Sequence, residues 1–412
     1  MPNERELANQ ETTVCHHARV DGAVFDYLLS APGQGLLGAA EAAYAQTGAD
    51  ALAAARRLRA GSHDPAHVAA ALTQVRLRRK AVDKLGEAAA RMYFTPVGLE
   101  QATAGLVAEH RAGRIVAAGH RRLLDLGCGI GADLVAAATV GITVHAVERD
   151  PVTTAVARAN LAALGLTGTV SVGEASEQDR SAYDIVFADP ARRGARGRTF
   201  DPAAYSPPWS FVEELLTETA VVKVAPGIPH PLVPAQVEAE WVSLAGRLRE
   251  AALWSGADQG VQRRATVIDG SGPTASVTDA DDPGDASVAD VGRFVYEPDD
   301  AVIRAHLVTA VAADVEGWLL DPHLAYVSSD LHRPGPLARS YAVQEVLPFK
   351  EKQLRAALRA RGVGPLTIKK RGVQVTPEVL RRRLGLKGST PATIIITRTP
   401  ASAAVLLVEP LG

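Results

Sequence analysis

Leu123-Leu124-Asp125-Leu126-Gly127-Cys128-Gly129-Ile130-Gly131 decides how this 412-residue chain is read. An apolar run of strand length leads into a turn with glycine at every second position, and a helix is expected to start near Asp133. Glycine lets the backbone turn sharply and lets a ligand approach the main chain. Outward from this point, short apolar runs bounded by Gly, Asp or Pro recur at Val144–Val147, Val170–Val172, Ile185–Phe187 and Val221–Val224. Between the first two of these, Val152–Leu164 has the texture of a helix, and Pro151 suits its start. Strands alternating with helices imply a parallel sheet covered on both faces.

Upstream, about Asp26 to His110 reads as helices, with apolar positions recurring at three and four, as in Val68, Ala71, Leu72 and Val75. Downstream, Trp241–Leu244, Ala251–Trp254 and Ala265–Ile268 are expected to close the sheet as antiparallel strands. Gly270–Asp290, rich in Asp, Gly, Ser and Pro, reads as a loop or linker. A helical stretch follows Pro298, and Ser340–Gly412 reads strand, helix, strand, helix, strand, strand. The expected organisation is a helical domain over 1–110, a Rossmann-like α/β domain over 111–275, an acidic linker and helical connection over 276–339, and a small α+β domain over 340–412.

Composition narrows the class. The chain is 47% apolar and 22% charged, with a formal net charge of -2, so any attraction for nucleic acid must be local. Cys15 and Cys128 are too few for a disulfide framework and lack metal-ligand spacing, so no metal is expected. The polar start Met1–Thr13 has no signal-like apolar core and no stretch has the length of a membrane span. A reducing cytoplasm is the expected location.

Three acids give the glycine turn its chemistry. Asp125 precedes it, Glu148 ends the next strand about 20 residues on, and Glu174 follows the third strand beside Ala175. All three fall at strand carboxyl ends, where open α/β sheets bind ligands. A pyrophosphate would be repelled by Asp125, whereas the cationic sulfonium of S-adenosyl-L-methionine tolerates these carboxylates. Glu148 suits ribose hydroxyls and Glu174 an adenine amino group.

The run Asp125–Gly131 with Glu148 resembles the first motif and acidic partner of the class I S-adenosylmethionine-dependent methyltransferases, over roughly Arg122–Ile268. The resemblance implies that Asp125, Gly127, Cys128, Gly129, Glu148, Arg149, Glu174 and Ala175 line the cofactor site. Phe94-Thr95-Pro96 looks like the Thr-Pro element that folds over the cofactor in trimethylguanosine-type RNA cap methyltransferases, which makes Phe94 and Thr95 candidates for a lid. A plain helix cap at Pro96 is the alternative.

The fourth strand ends Ala188-Asp189-Pro190-Ala191-Arg192-Arg193, where enzymes of this family face the methyl group. It resembles the Asp-Pro-Pro-aromatic motif of amino-directed nucleic-acid methyltransferases, with Ala191 and Arg192 as departures. It also resembles the Asp-Pro-Pro-Arg of enzymes that methylate carbon 5 of RNA pyrimidines. Those need a cysteine after the fifth strand, and Lys223–His230 has none. Direct in-line transfer is expected, with Asp189 and Pro190 holding the acceptor and Arg192 placed to meet an anionic group. His230 is a lone loop histidine, open to a structural or a base role.

Ser340–Gly412 resembles the THUMP-like domain attached to some bacterial methyltransferases, and true THUMP domains bind RNA ends. Lys369-Lys370-Arg371 ends one of its strands and supplies a local basic run for RNA phosphates. The favoured expectation is a methyltransferase acting on a nitrogen of an RNA base, in tRNA or rRNA. A small-molecule or protein methyltransferase, and a non-catalytic RNA-binding protein retaining the fold, are the alternatives.

Overall fold

The computed structural model describes residues 21–61, 63–192, 201–202, 205–256, 260–270 and 274–411. Cys15 and Arg193 lie outside the described residues, as does the side chain of Arg192. The chain divides into two compact units, the first running to Lys223 and the second from Val224.

Among the described residues the first unit begins with six α-helices: α1 (Gly22–Leu29), α2 (Ala31–Gln46), α3 (Ala51–Arg59), α4 (Pro65–Leu85), α5 (Pro96–Gln101) and α6 (Gly105–Ala117). Their starts are written in the sequence. Asp64 before Pro65 and Thr95 before Pro96 place a capping oxygen on a free N–H and a proline where no N–H is needed. The α/β part follows as β1 (Arg122–Leu126), α7 (Ala132–Thr139), β2 (Thr143–Glu148), α8 (Pro151–Leu164), β3 (Gly168–Val172) and β4 (Ile185–Ala188). A two-residue ladder, β5 (Ala191–Arg192) with β6 (Tyr205–Ser206), leads to α9 (Trp209–Leu215) and β7 (Ala220–Val224). The strands run in the order β7-β4-β1-β2-β3, all parallel. Leu126 stands opposite Val147 on one side and Ala188 on the other, so the glycine turn, Glu148 and Asp189 emerge at the same edge.

The helical core is continuous with this edge. Phe25, Leu36, Val68, Leu72 and Phe94 share one buried cluster with Ile130 of the glycine turn and Val156 of α8. Two buried amides tie the extended segment Tyr93-Phe94 across it. Gln74 Nε2 donates to Phe94 O at 2.7 Å and its Oε1 accepts from Phe94 N at 2.9 Å. Asn160 Oδ1 accepts from Tyr93 N at 2.6 Å, and its Nδ2 donates to Tyr93 O at 3.1 Å and to Ile130 O at 2.8 Å. Each amide acts as a strand partner, satisfying main-chain groups that would otherwise be buried without water.

The second unit holds β8 (Glu238–Leu244), β9 (Arg247–Ser255), β10 (Arg263–Ile268) and β11 (Thr274–Thr278), ordered β11-β10-β8-β9. The expectation of antiparallel closing strands needs a correction. β9 is antiparallel to β8 across a two-residue turn, with Ala245 and Gly246 both at positive φ, but β10 lies parallel to β8. The chain doubles back twice, so the third strand regains the direction of the first. Thr274–Thr278, expected as loop, is a strand. A second sheet, ordered β13-β14-β12-β15-β18-β17-β16, comprises β12 (Phe294–Pro298), β13 (Trp318–Leu319), β14 (Val327–Ser329), β15 (Ala338–Pro348), β16 (Val363–Lys370), β17 (Thr390–Arg398) and β18 (Ala403–Pro410). Helices α10 (Asp300–Arg304) and α11 (Val308–Asp314) follow β12, while α12 (Glu351–Ala360) and α13 (Pro377–Leu384) join the C-terminal strands. From β15 onward the order of elements is the expected one. Ile394 and Ile396 face the core with α12 and α13, and Ile395 faces Tyr326 and Tyr341 on the other side, so an unbroken apolar run is buried on both faces.

Asn160→Ala and Gln74→Ala each strip a buried backbone pair of its partners, and each is expected to cost about 1–3 kcal/mol. Urea unfolding of the two variants measures the loss; no change would show that the amides are dispensable.

Candidate functional site: the acidic turn and its neighbours

The turn after β1 is built by handedness. Gly127, Gly129 and Gly131 have φ of 88°, 55° and 83°, a region that residues with a Cβ rarely adopt. A Cβ at Gly127 or Gly129 would meet nothing within 4 Å, so the turn borders open space rather than packed protein. Glu148 fixes its shape from the next strand. Its Oε2 accepts from Gly129 N at 3.1 Å and its Oε1 from Asp150 N at 3.0 Å.

Asp125 is 1% exposed, and neither carboxylate oxygen has a hydrogen-bond partner among the described residues. Burial holds its carboxyl well above the usual carboxylate range, and the nearby Asp133, Asp189 and Glu148 push it further, against the pull of Arg111. A buried, unsatisfied acid is costly unless something positive completes it. Cys128 beside it is half-buried, and burial together with Asp125 and Glu148 pushes its thiol up, away from nucleophilic use.

A polar chain crosses the site. Arg111, almost fully buried on α6, pairs with Asp133 at the start of α7 and lies 4.6 Å from the Phe187 ring. Thr103 Oγ1 donates to Asp133 Oδ2 at 2.7 Å, and Lys223 Nζ donates to Thr103 Oγ1 at 3.0 Å and to Asp189 Oδ2 at 2.7 Å. Sequence reading assigned no role to Thr103, Arg111, Asp133 or Lys223. The available signal was a lone lysine inside the apolar strand Ala220-Val221-Val222-Lys223-Val224.

The remaining expected residues sit as follows. Pro190 is buried after Asp189, and Arg149 and Glu174 are exposed at the ends of β2 and β3. Ala175 opens a single 3-10 turn, Ala175–Glu177. Phe94 is wholly buried in the helical core, while Thr95 Oγ1 accepts from Gly98 N at 2.9 Å and caps α5. This cap is close to the glycine turn, since a Cβ on Gly98 would come within 2.3 Å of Ile130 Cγ2. His230 belongs to the second unit, stacked between Trp241 and His306 with Nε2 2.8 Å from Arg304 O.

The basic run of β16 is divided by strand alternation. Lys369 turns inward, 2.5 Å from Glu297 Oε2 and over the Tyr341 ring, and Arg371 lies over Tyr326. Burial lowers the Lys369 pKa, but the hydrogen bonds and charges of Glu297 and Tyr341 together outweigh it, and the net direction is upward. Lys370 is exposed. Three consecutive charges therefore do not form one surface.

Against known proteins, residues 94–200 match the methyltransferase small domain, 338–410 a family described as THUMP domain-like, and 21–81 a domain of unknown function. An uncharacterized S-adenosylmethionine-dependent methyltransferase of Mycobacterium tuberculosis (strain H37Rv) is 38% identical over 339 residues, which is 79% of this chain and 92% of that protein. The chain belongs to the S-adenosylmethionine-dependent methyltransferases. A Porphyromonas gingivalis W83 structure assigned as a methyltransferase has a TM-score of 0.70 and 22% identity, covering 84% of this chain and 91% of its own, and so shares the fold. This methyltransferase is thus of class I, with a C-terminal THUMP-like domain, and its cofactor is S-adenosylmethionine. The residues present fit that group: an unpartnered buried carboxylate stands beside an open glycine turn, with a surplus of acid for a cationic ligand. Among the described residues no helix is long and apolar enough to cross a membrane.

Without a ligand the buried acid is a burden. A carboxyl whose folded pKa stands above its unfolded value, about 3.9, favours the fold below that value and costs stability as pH rises through the folded pKa. Asp125→Asn is therefore expected to raise the melting temperature of the ligand-free protein at neutral pH, with the gain vanishing below about pH 4. Thermal unfolding across pH tests this; a lower melting temperature at neutral pH would refute it.

Proposed function

We propose that this methyltransferase acts on RNA, moving a methyl group to a nitrogen of a base in tRNA or rRNA by direct in-line transfer. The observation that carries the reading is one chain holding both an acid at the end of β4, beside the glycine turn, and a THUMP-like domain. Asp125 would take the cationic methionine end, with Gly127, Cys128 and Gly129 offering their main chain. Glu148 would meet the ribose through the lone pairs its two backbone bonds leave, and Arg149, Glu174 and Ala175 would border the adenine. Phe94 and Thr95 would support the cofactor from the helical side, Phe94 by packing and Thr95 through the capped turn at Ile130.

Bound S-adenosylmethionine supplies a methyl group on positively charged sulfur: the nitrogen lone pair forms the new bond to carbon, and the sulfur keeps the pair of the broken one. Asp189 accepts the hydrogen of that nitrogen, aims its lone pair, and takes the proton as positive charge develops, releasing it to water. Pro190 shapes the turn, and Arg192 is assigned to an anionic group of the acceptor. Exposed Lys370 on the THUMP-like domain supplies a phosphate contact, while Lys369 and Arg371 support it from within.

The test is transfer of labelled methyl from S-adenosylmethionine to fractionated RNA, protein and metabolites from cells lacking the gene. Label in RNA that falls at least about a hundredfold with Asp189→Ala is the expected result. Label confined to protein or metabolites would overturn the RNA assignment and leave the methyltransferase identity standing.

A further inference from the structure

Asp189 and Lys223 form an ion pair that is neither on the surface nor sealed off, their side chains being 36% and 16% exposed. The pair engages one oxygen. Asp189 Oδ2 accepts from Lys223, and Oδ1 has no hydrogen-bond partner among the described residues. Lys223 is itself fixed from the other side by Thr103, Thr103 by Asp133, and Asp133 by the buried Arg111. The charged members alternate in sign, with the Thr103 hydroxyl as a neutral link, and they come from the turn after β4, β7, the α5–α6 connection, α7 and α6. A lysine ordinarily ranges over several rotamers, and tethering it at two points removes that freedom in advance.

We infer that Lys223 is a positioning residue that sets the acceptor class: it holds Asp189 by one oxygen, leaves the other for the hydrogen of the acceptor nitrogen, and occupies in advance the place of an ammonium. An aliphatic amine arrives at neutral pH as an ammonium and would compete with Lys223 for a carboxylate whose charge is already balanced. The amino or imino nitrogen of a nucleobase arrives neutral and needs only an acceptor oxygen. The inference rests on the RNA reading above and narrows it, because the pair disfavours lysine side chains and aliphatic amines as substrates. The reach of the effect follows from its geometry, since a nitrogen held about 1 Å off line can lose a hundredfold in rate.

The test uses the full chain, S-adenosylmethionine and RNA from cells lacking the gene, with Lys223→Met and Lys223→Arg. Calorimetry gives the affinity for S-adenosylmethionine and initial rates give kcat and KM for RNA. Lys223→Met is expected to lower kcat about a hundredfold while both binding constants stay within about threefold, and Lys223→Arg to restore most of the rate. In the Met variant, butylammonium is expected to inhibit RNA methylation competitively, and not in the parent, because it takes the vacated place. Unchanged kcat in Lys223→Met overturns the inference with the RNA reading intact. Parallel loss of S-adenosylmethionine binding also overturns it, by assigning Lys223 to the cofactor. Parent protein that methylates butylamine and not RNA overturns both readings together.

Discussion

The site is organised around one carboxylate buried without a partner. Asp125 sits at the end of the central strand, with three further acids acting on it and one arginine opposing them. Left alone, this arrangement costs stability, and the rest of the unit is arranged to keep it in place. Glu148 braces the glycine turn, Asn160 holds Ile130 and Tyr93 together, and the helical core closes against the same turn. A cationic cofactor is the natural counterpart of such a hole, because opposite charge in a desolvated setting gains more than it would in water.

Much of this was legible in the sequence, for reasons that differ by element. The order of β1 to β4 follows from apolar runs that a doubly covered parallel sheet requires, and the helix starts follow from oxygen-bearing residues placed before proline. That Asp125, Glu148 and Asp189 come to one edge was legible because a parallel sheet gathers all its strand carboxyl ends there, however far apart they are in sequence. Their neighbours were not found. Thr103, Arg111 and Lys223 reach the edge from a loop, a helix and a strand whose local patterns say nothing about which polar group they will meet. Gln74 and Asn160 lie on apolar helix faces, where a polar residue reads as an exception until its backbone partners are known.

The second unit shows the opposite balance. The element order of its C-terminal part was readable in full, because the amphipathic helices α12 and α13 and the triple isoleucine of β17 each satisfy one simple pattern. Function was less readable there. Lys369-Lys370-Arg371 looks like one basic patch as a string, and the two-residue period of a strand sends its members to opposite faces, two of them over tyrosine rings. The strands β12 to β14 carried too short a signal, and their place was set by pairing with β15 rather than by local preference.

The most direct test is the proton balance of cofactor binding. Titration calorimetry of S-adenosylmethionine at a series of pH values upward from the ordinary carboxylate range, in buffers of different ionisation enthalpy, counts the protons exchanged as the raised Asp125 carboxyl titrates. A buried acid whose pKa stands well above the ordinary range must lose its proton to meet the cation, so binding to the parent protein should release protons. Asp125→Asn should release none and bind at least about tenfold more weakly, a difference of about 1.4 kcal/mol. Equal affinity in the two proteins, with no proton release in either, would contradict the role given to Asp125.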